Sequence, residues 1–334
     1  MNYNICDNKF INLIYDSEIS YIILEFLNNN DVRYISHTCI SIRNNFIYYN
    51  IIYYNLNSST SCDYLNNRIL RYKINSIGIV YSANLDIYTA TNGIKSNPNC
   101  SDISVFSNVY NLNLSDCTSI TNVSSLGNIH TLNLSGCNKI SNISSLGNIH
   151  TLNLSYCNKI YDVSSLENVY DLDLSYCTRI TNVSALGNVY DLNLSYCISI
   201  TNVSSLVNIH TLNLSGCTSI SDVSFLKNVQ ILDLSGCTSI SDVSSLGNVK
   251  SLNLFSCQNV TDVSCLKNVK LLNLSNCQKV TDVSMLGHVH TLLINNCNNI
   301  YDVSMLGNIY YLEMKECNNI LDIVTCMIIK NNML

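Results

Sequence analysis

The sequence predicts a solenoid in which short parallel strands stack into one long sheet and tight 3₁₀ or extended turns close the opposite side. Three observations predict it. A unit of 20 residues recurs in phase about 11 times between Val109 and Ile320, with no insertion. Each unit places apolar residues at the positions of Val109, Leu112, Leu114, Cys117, Ile120, Val123 and Leu126, and the residues between are mostly small or polar. One turn cannot bury such a set by itself, whereas stacked turns bury it in a continuous core.

Within each unit, the alternation around Leu112 and Leu114 predicts a short strand, because side chains of period two face opposite sides of a sheet. The segment typified by Asp222-Val223-Ser224-Phe225-Leu226 predicts a 3₁₀ or extended turn, since 20 residues leave little room for a helix. Strands about 4.8 Å apart would carry the array roughly 50 Å from the first repeat cysteine to the eleventh.

These positions resemble the leucine-rich-repeat consensus L-x-x-L-x-L-x-x-N/C-x-L, with cysteine at the place the family fills with Asn or Cys. The resemblance implies a leucine-rich-repeat solenoid with its parallel sheet on the concave face, and a protein that binds partners rather than catalysing a reaction. The solenoid is expected over residues 109–320. Residues 51–108 read as a linker and a degenerate first repeat or cap: Ile74, Ile77 and Ile79 mimic the strand motif, and Ser101-Asp102-Ile103-Ser104 mimics the convex turn. Residues 321–334, with Ile323, Val324, Met327 and Ile328, read as a carboxy-terminal cap, which an open solenoid needs to cover its last apolar face.

Residues 1–50 change period. Ile19, Ile22, Ile23, Phe26 and Leu27 follow the i, i+3, i+4, i+7, i+8 stripe of an amphipathic helix. Asn28-Asn29-Asn30 supplies a turn, and Asp31 can cap a second helix carrying Val32, Ile35, Cys39, Ile42 and Phe46. From about Tyr15 to Asn45 this hairpin resembles an F-box, the motif that docks on the Skp adaptor of cullin-based ubiquitin ligases. Glu18-Ile19 falls on its Glu-Ile, Ile23-Leu24 on its apolar pair, Asp31-Val32 on its Asp-Leu and Cys39 on its Cys. Asp16 stands where the motif has Pro, and Ile42 where it has Trp. The resemblance implies an adaptor-binding face formed by Ile19, Ile22, Ile23, Phe26, Leu27, Val32 and Ile35.

Composition narrows the partners. Of the 334 residues, 12% are charged and 47% apolar, which argues for a folded chain with a buried core. The net charge of −6 offers no basic field for a phosphate backbone, so no nucleic-acid partner is expected. No apolar run approaches the roughly 18 to 20 residues that cross a bilayer, and Met1 to Asp16 lacks a basic segment followed by an apolar core, so neither a membrane partner nor secretion is expected.

Of 17 cysteines, 11 recur at the repeat position running from Cys117 to Cys317, and the rest form no Cys-x-x-Cys pair. A row of thiols one strand apart never converges tetrahedrally on a point, so no metal and no cofactor are expected. Reduced thiols predict an intracellular, cytoplasmic address. One Pro, no Trp and abundant Asn, Ile and Tyr match the coding bias of an AT-rich protist or large DNA virus, in the latter case placing the protein in host cytoplasm.

No catalytic constellation is expected. Serines recur at the Ser115 and Ser124 positions in almost every turn, so none is singled out with its own base. His130, His150, His210 and His290 share one repeat position and read as variation at a partly exposed site. The repeated Asn-x-Ser sequons are a by-product of the unit. Target binding is instead expected where the copies differ. Tyr156, Tyr176 and Tyr196 form one column and Tyr170 and Tyr190 another, with Asp171, Asp173 and Asp191 among them, a composition suited to a protein-binding hot spot. A second irregular stretch holds Lys250, Phe255, Lys270 and Leu271. The leading functional expectation is a substrate receptor of a Skp–cullin–F-box ubiquitin ligase with an unknown target protein; the alternative is a ligase-independent leucine-rich-repeat scaffold or regulatory interaction module.

Overall fold

The computed structural model describes residues 103–107 and 111–320. The expected amino-terminal hairpin with Ile19, Ile22, Ile23, Phe26, Leu27, Val32 and Ile35, most of the segment between residues 51 and 108, and the expected cap at 321–334 lie outside the described residues.

Eleven three-residue strands stack in sequence order into one parallel sheet. They are β1 (Asn111–Asn113), β2 (Thr131–Asn133), β3 (Thr151–Asn153), β4 (Asp171–Asp173) and β5 (Asp191–Asn193), then β6 (Thr211–Asn213), β7 (Ile231–Asp233) and β8 (Ser251–Asn253), and finally β9 (Leu271–Asn273), β10 (Thr291–Leu293) and β11 (Tyr311–Glu313). The register advances by one repeat at every step, so that Leu112 faces Leu132 and Leu172 faces Leu192. Repeat position and spatial column are therefore the same thing, which is what makes the sequence readable as a surface. On the far side, most turns tighten into a 3₁₀ segment such as Ser124–Leu126 or Ser224–Leu226, and Ser104–Phe106 forms one ahead of the first strand. This is the architecture of a leucine-rich-repeat solenoid.

The repeating apolar columns form the core. Leu174, Cys177, Ile180 and Leu186 are wholly buried, and so are their equivalents in neighbouring turns. Two columns of Asn or Asp, polar and easily mistaken for surface decoration, shape the turn around that core. Asn113 Oδ1 accepts the Ser115 N–H at 2.9 Å, and Asp173 Oδ1 accepts that of Ser175 at 2.8 Å. On the convex side Asn122 and Asp222 accept the N–H of Ser124 and Ser224 in the same way. Each bond caps backbone that bends out of its strand or into its 3₁₀ turn and would otherwise go unpaired.

The cysteine column joins turn to turn. Cys197 Sγ donates to Leu174 O at 3.1 Å, Cys177 Sγ to Leu154 O at 3.2 Å, and the pattern continues along the array. The Leu174 carbonyl also accepts the Cys177 N–H, so one buried oxygen uses both lone pairs. Burial, with smaller effects from neighbouring thiols, pushes the pKa of Cys137 and Cys157 up to about 12.

Candidate functional site

The residue just before each cysteine has a left-handed backbone in all eleven turns. Glycine takes this conformation without penalty, and Asn or Asp at small cost. Gly136, Gly216 and Gly236 fill three of these places, and Asp116, Asn276 and Asn296 three more. Tyr156, Tyr176 and Tyr196, however, occupy three successive turns with φ of 61°, 60° and 59°. A bulky side chain there costs roughly 1 kcal/mol or more each. The rings recover part of that cost by stacking: Tyr156 on Tyr176 with centroids 4.4 Å apart, and Tyr176 on Tyr196 at 4.5 Å. Ser155, Ser175 and Ser195 are buried in these turns, whereas Ser135, Ser215 and Ser235 beside glycines are half-buried.

A second row of rings lies on the other side of the strands, at the residue before each one. Tyr170 and Tyr190 stack at 4.8 Å, but the row does not stop there. His150 stacks on Tyr170 at 4.8 Å, His130 on His150 at 4.6 Å and His210 on Tyr190 at 4.6 Å. Five rings form one continuous rail across β2 to β6. The histidines, which the sequence reading set apart as tolerated variation, are structural members of the tyrosine column. Their common spacing of 20 residues was the available signal. The Nδ1 atoms of His130, His150 and His210 also lie 3.2–3.3 Å from the hydroxyls of Thr131, Thr151 and Thr211, which fixes each ring against its own strand.

Between the rails, Leu172 and Leu192 point into the core, so Asp171, Asp173 and Asp191 face outward by the alternation of the strand. Asp171 and Asp191 are register partners on adjacent strands. Partial desolvation raises the pKa of both above the ordinary carboxylate value, with Asp173 adding to the shift of Asp171, and Asp171 to that of Asp191. His150 and His210 oppose these shifts. Asn153 Nδ2 reaches Asp173 Oδ2 at 3.5 Å. Among the described residues no lysine or arginine forms a salt bridge with any of the three; Arg179 instead lies over the Tyr161 ring, 5.8 Å from its centroid.

The eight residues expected to bind a target fall on adjacent turns as one band, the trough, with the carboxylates on the strands and one row of rings before and one after them. Lys250, Phe255, Lys270 and Leu271 sit three or more strands away. Phe255 and Leu271 are exposed there and join Ile231 and Leu293 on a more apolar stretch of the same sheet face. Among the described residues no group of three or more His, Cys, Asp or Glu could hold a metal ion, and no helix is long and apolar enough to cross a membrane.

No protein-family model matches the chain, and no curated protein matches it. Solved structures do. An internalin, InlF of Listeria monocytogenes, is 21% identical over 72% of this chain and 92% of its own, with a TM-score of 0.44. The functional domain of InlJ from the same species, described as including a cysteine ladder, is 20% identical over 63% of this chain and 54% of its own, with a TM-score of 0.41. A leucine-rich-repeat protein of Leptospira interrogans is 18% identical over 64% of this chain and 69% of its own, with a TM-score of 0.44.

Proposed function

We propose that the solenoid is a protein-recognition module that holds its target across β3 to β6, and that the amino-terminal hairpin makes the chain the substrate receptor of a Skp–cullin–F-box ubiquitin ligase. The observation that carries the recognition reading is the pair of stacked aromatic rails around Asp171, Asp173 and Asp191. Ordered rings lose little side-chain entropy on binding, and tyrosines held at a conformational cost in adjacent turns form surface where backbone economy alone would favour glycine. The ligase reading rests on the sequence of residues 15–45, with Ile19, Ile22, Ile23, Phe26, Leu27, Val32 and Ile35 as the adaptor-facing set.

In such an assembly this chain forms no covalent intermediate. Its contribution is to hold a target lysine at high effective concentration near a recruited conjugating enzyme. Co-purification with a Skp adaptor tests the hairpin: the full chain should retain the adaptor, and Ile23→Asp or Leu27→Asp should release it. An adaptor that never binds would leave the alternative, a ligase-independent interaction scaffold. The recognition surface is tested separately. Combining Tyr176→Ala with Asp173→Asn, which keeps the oxygen that accepts the Ser175 N–H, should weaken target capture while leaving the repeat circular dichroism intact, and unchanged capture would remove the trough from consideration.

A further inference from the structure

The arrangement of rings and charges says what chemistry the trough accepts. Within each rail both faces of the interior rings, His150, Tyr170 and Tyr190 in one and Tyr176 in the other, are covered by neighbouring rings. A ligand that binds by stacking, such as a sugar or a nucleobase, finds those faces occupied and meets ring edges and tyrosine hydroxyls instead. Ring edges carry the positive part of the aromatic quadrupole, so they favour carbonyl oxygens, which an approaching polypeptide supplies. Polyanions are disfavoured by the floor, where Asp171 and Asp191 stand on adjacent strands, about 4.8 Å apart in the backbone.

Among the described residues no lysine or arginine pairs with that floor, and the opposing effects of His150 and His210 do not cancel the upward shifts of the two aspartates. Two partly desolvated carboxylates on adjacent strands that lack a lysine or arginine partner are favourably relieved by an incoming cation. The rails border the floor on both sides, six residues apart along the chain, so the opening between them is at most about 20 Å at full extension. Asp171 and Asp191 are both exposed on neighbouring strands, so one segment laid across the strands reaches both carboxylates.

We infer that the trough between the rails receives a basic segment of a partner protein, with arginine or lysine side chains paired to Asp171 and Asp191, and main-chain carbonyls against the ring edges. This inference rests on the recognition reading above and gives it a partner class. It concerns charge, whereas that reading concerns location, and the two can fail independently. Asp173 already accepts Asn153 and Ser175, so it contributes field more than direct pairing.

The test uses the full chain and two labelled synthetic peptides, four repeats of Arg-Thr-Ser and four repeats of Glu-Thr-Ser, followed by fluorescence anisotropy at low ionic strength. The arginine peptide should bind and the glutamate peptide should not. Asp171→Asn with Asp191→Asn should weaken the arginine peptide by about tenfold or more, the scale of losing close charge pairs at an interface. Thr and Ser stand at the same strand position in other repeats, so these polar replacements suit the strand. Asp242→Asn with Asp262→Asn on the convex side controls for diffuse attraction and should leave the affinity unchanged. Equal binding by the Asp171/Asp191 variant, an equal loss in the convex variant, or comparable binding of the glutamate peptide would overturn the inference. If Tyr176→Ala abolished target capture while Asp171→Asn with Asp191→Asn left it untouched, recognition at the trough would stand and the basic partner would not.

Discussion

The Tyr196 ring lies so close to Gly216 that a Cβ on the glycine would sit 2.7 Å from Tyr196 Cδ1. The tyrosine rail therefore ends against bare backbone. Gly216 also has φ of +70°, so it meets two demands that only glycine satisfies together. Gly236, at φ of +71°, meets one: its nearest neighbour atom, Gly216 N, is 3.7 Å away. Gly216→Ala should thus cost more than Gly236→Ala, which carries only the left-handed penalty of about 1 kcal/mol. Thermal unfolding of both variants checks the order, and adding Tyr196→Ala to Gly216→Ala should recover the difference. Equal losses would mean that the ring yields freely.

Thiol chemistry should divide the cysteines by burial. Burial, the largest cause, holds the Cys157 and Cys277 thiols up at about 12, and those of Cys217 and Cys297 at about 11. The thiolate is the reactive form, so at pH 8 the buried members of the ladder should resist alkylation. Among the described cysteines, Cys265 and Cys317 are only partly buried and should label first. Mass spectrometry after brief iodoacetamide treatment reads the pattern; rapid labelling of Cys197 would show that the turns open.

Acid should act on the two faces in opposite directions. Asp222, Asp242, Asp262, Asp282 and Asp302 have folded pKa values below 3.8, chiefly because they accept hydrogen bonds from the serine two residues on. Their contribution is present above pH 3.8 and lost as pH falls through the folded values. Asp171 and Asp191 have folded values above 3.8, chiefly because they are partly desolvated and secondly because another aspartate stands near each, so the cost of keeping them ionised is relieved as pH falls toward that point. Asp171→Asn with Asp191→Asn should stabilise the protein at pH 7 and lose that advantage near pH 4. Denaturant midpoints across this range provide the comparison, and a gain that did not shrink on acidification would count against it.

Turn-for-turn registry predicts the response to deletion. Removing residues 221–240 joins Ile220 to Ser241 in the phase of the original chain, so every apolar column continues and the array should fold one turn shorter. Removing residues 221–230 places half a turn out of phase and sets polar residues against the core. The first variant should keep a cooperative thermal transition and the second should lose it, since each repeat is stabilised mainly by its neighbours.

The solenoid was legible because a strict 20-residue period ties sequence position to spatial column. The columns of Leu112, Leu114, Cys117 and Ile120 needed no long-range information to be recognised as core, and the short unit itself excluded a convex helix. The turn-forming role of Asn113 and Asn122 was less visible, because a side chain that hydrogen-bonds its own backbone looks the same in sequence as one facing water. The histidines went further astray: reading residue types separately split His130, His150 and His210 from Tyr170 and Tyr190, although all five hold one repeat position.

By itself, then, the sequence determined the period, the buried columns and the concentration of tyrosines and aspartates in the middle repeats. Only the tertiary structure decided that those rings stack from turn to turn with the carboxylates on the strands between them. Two aromatic columns six residues apart become facing rails because each strand keeps them on opposite sides of a carboxylate floor, and each rail becomes continuous because parallel, in-register stacking brings rings from successive turns to 4.4–4.8 Å. Sequence spacing specifies the columns, whereas the left-handed turn and the register fix where the rings lie and which of their surfaces a partner can touch.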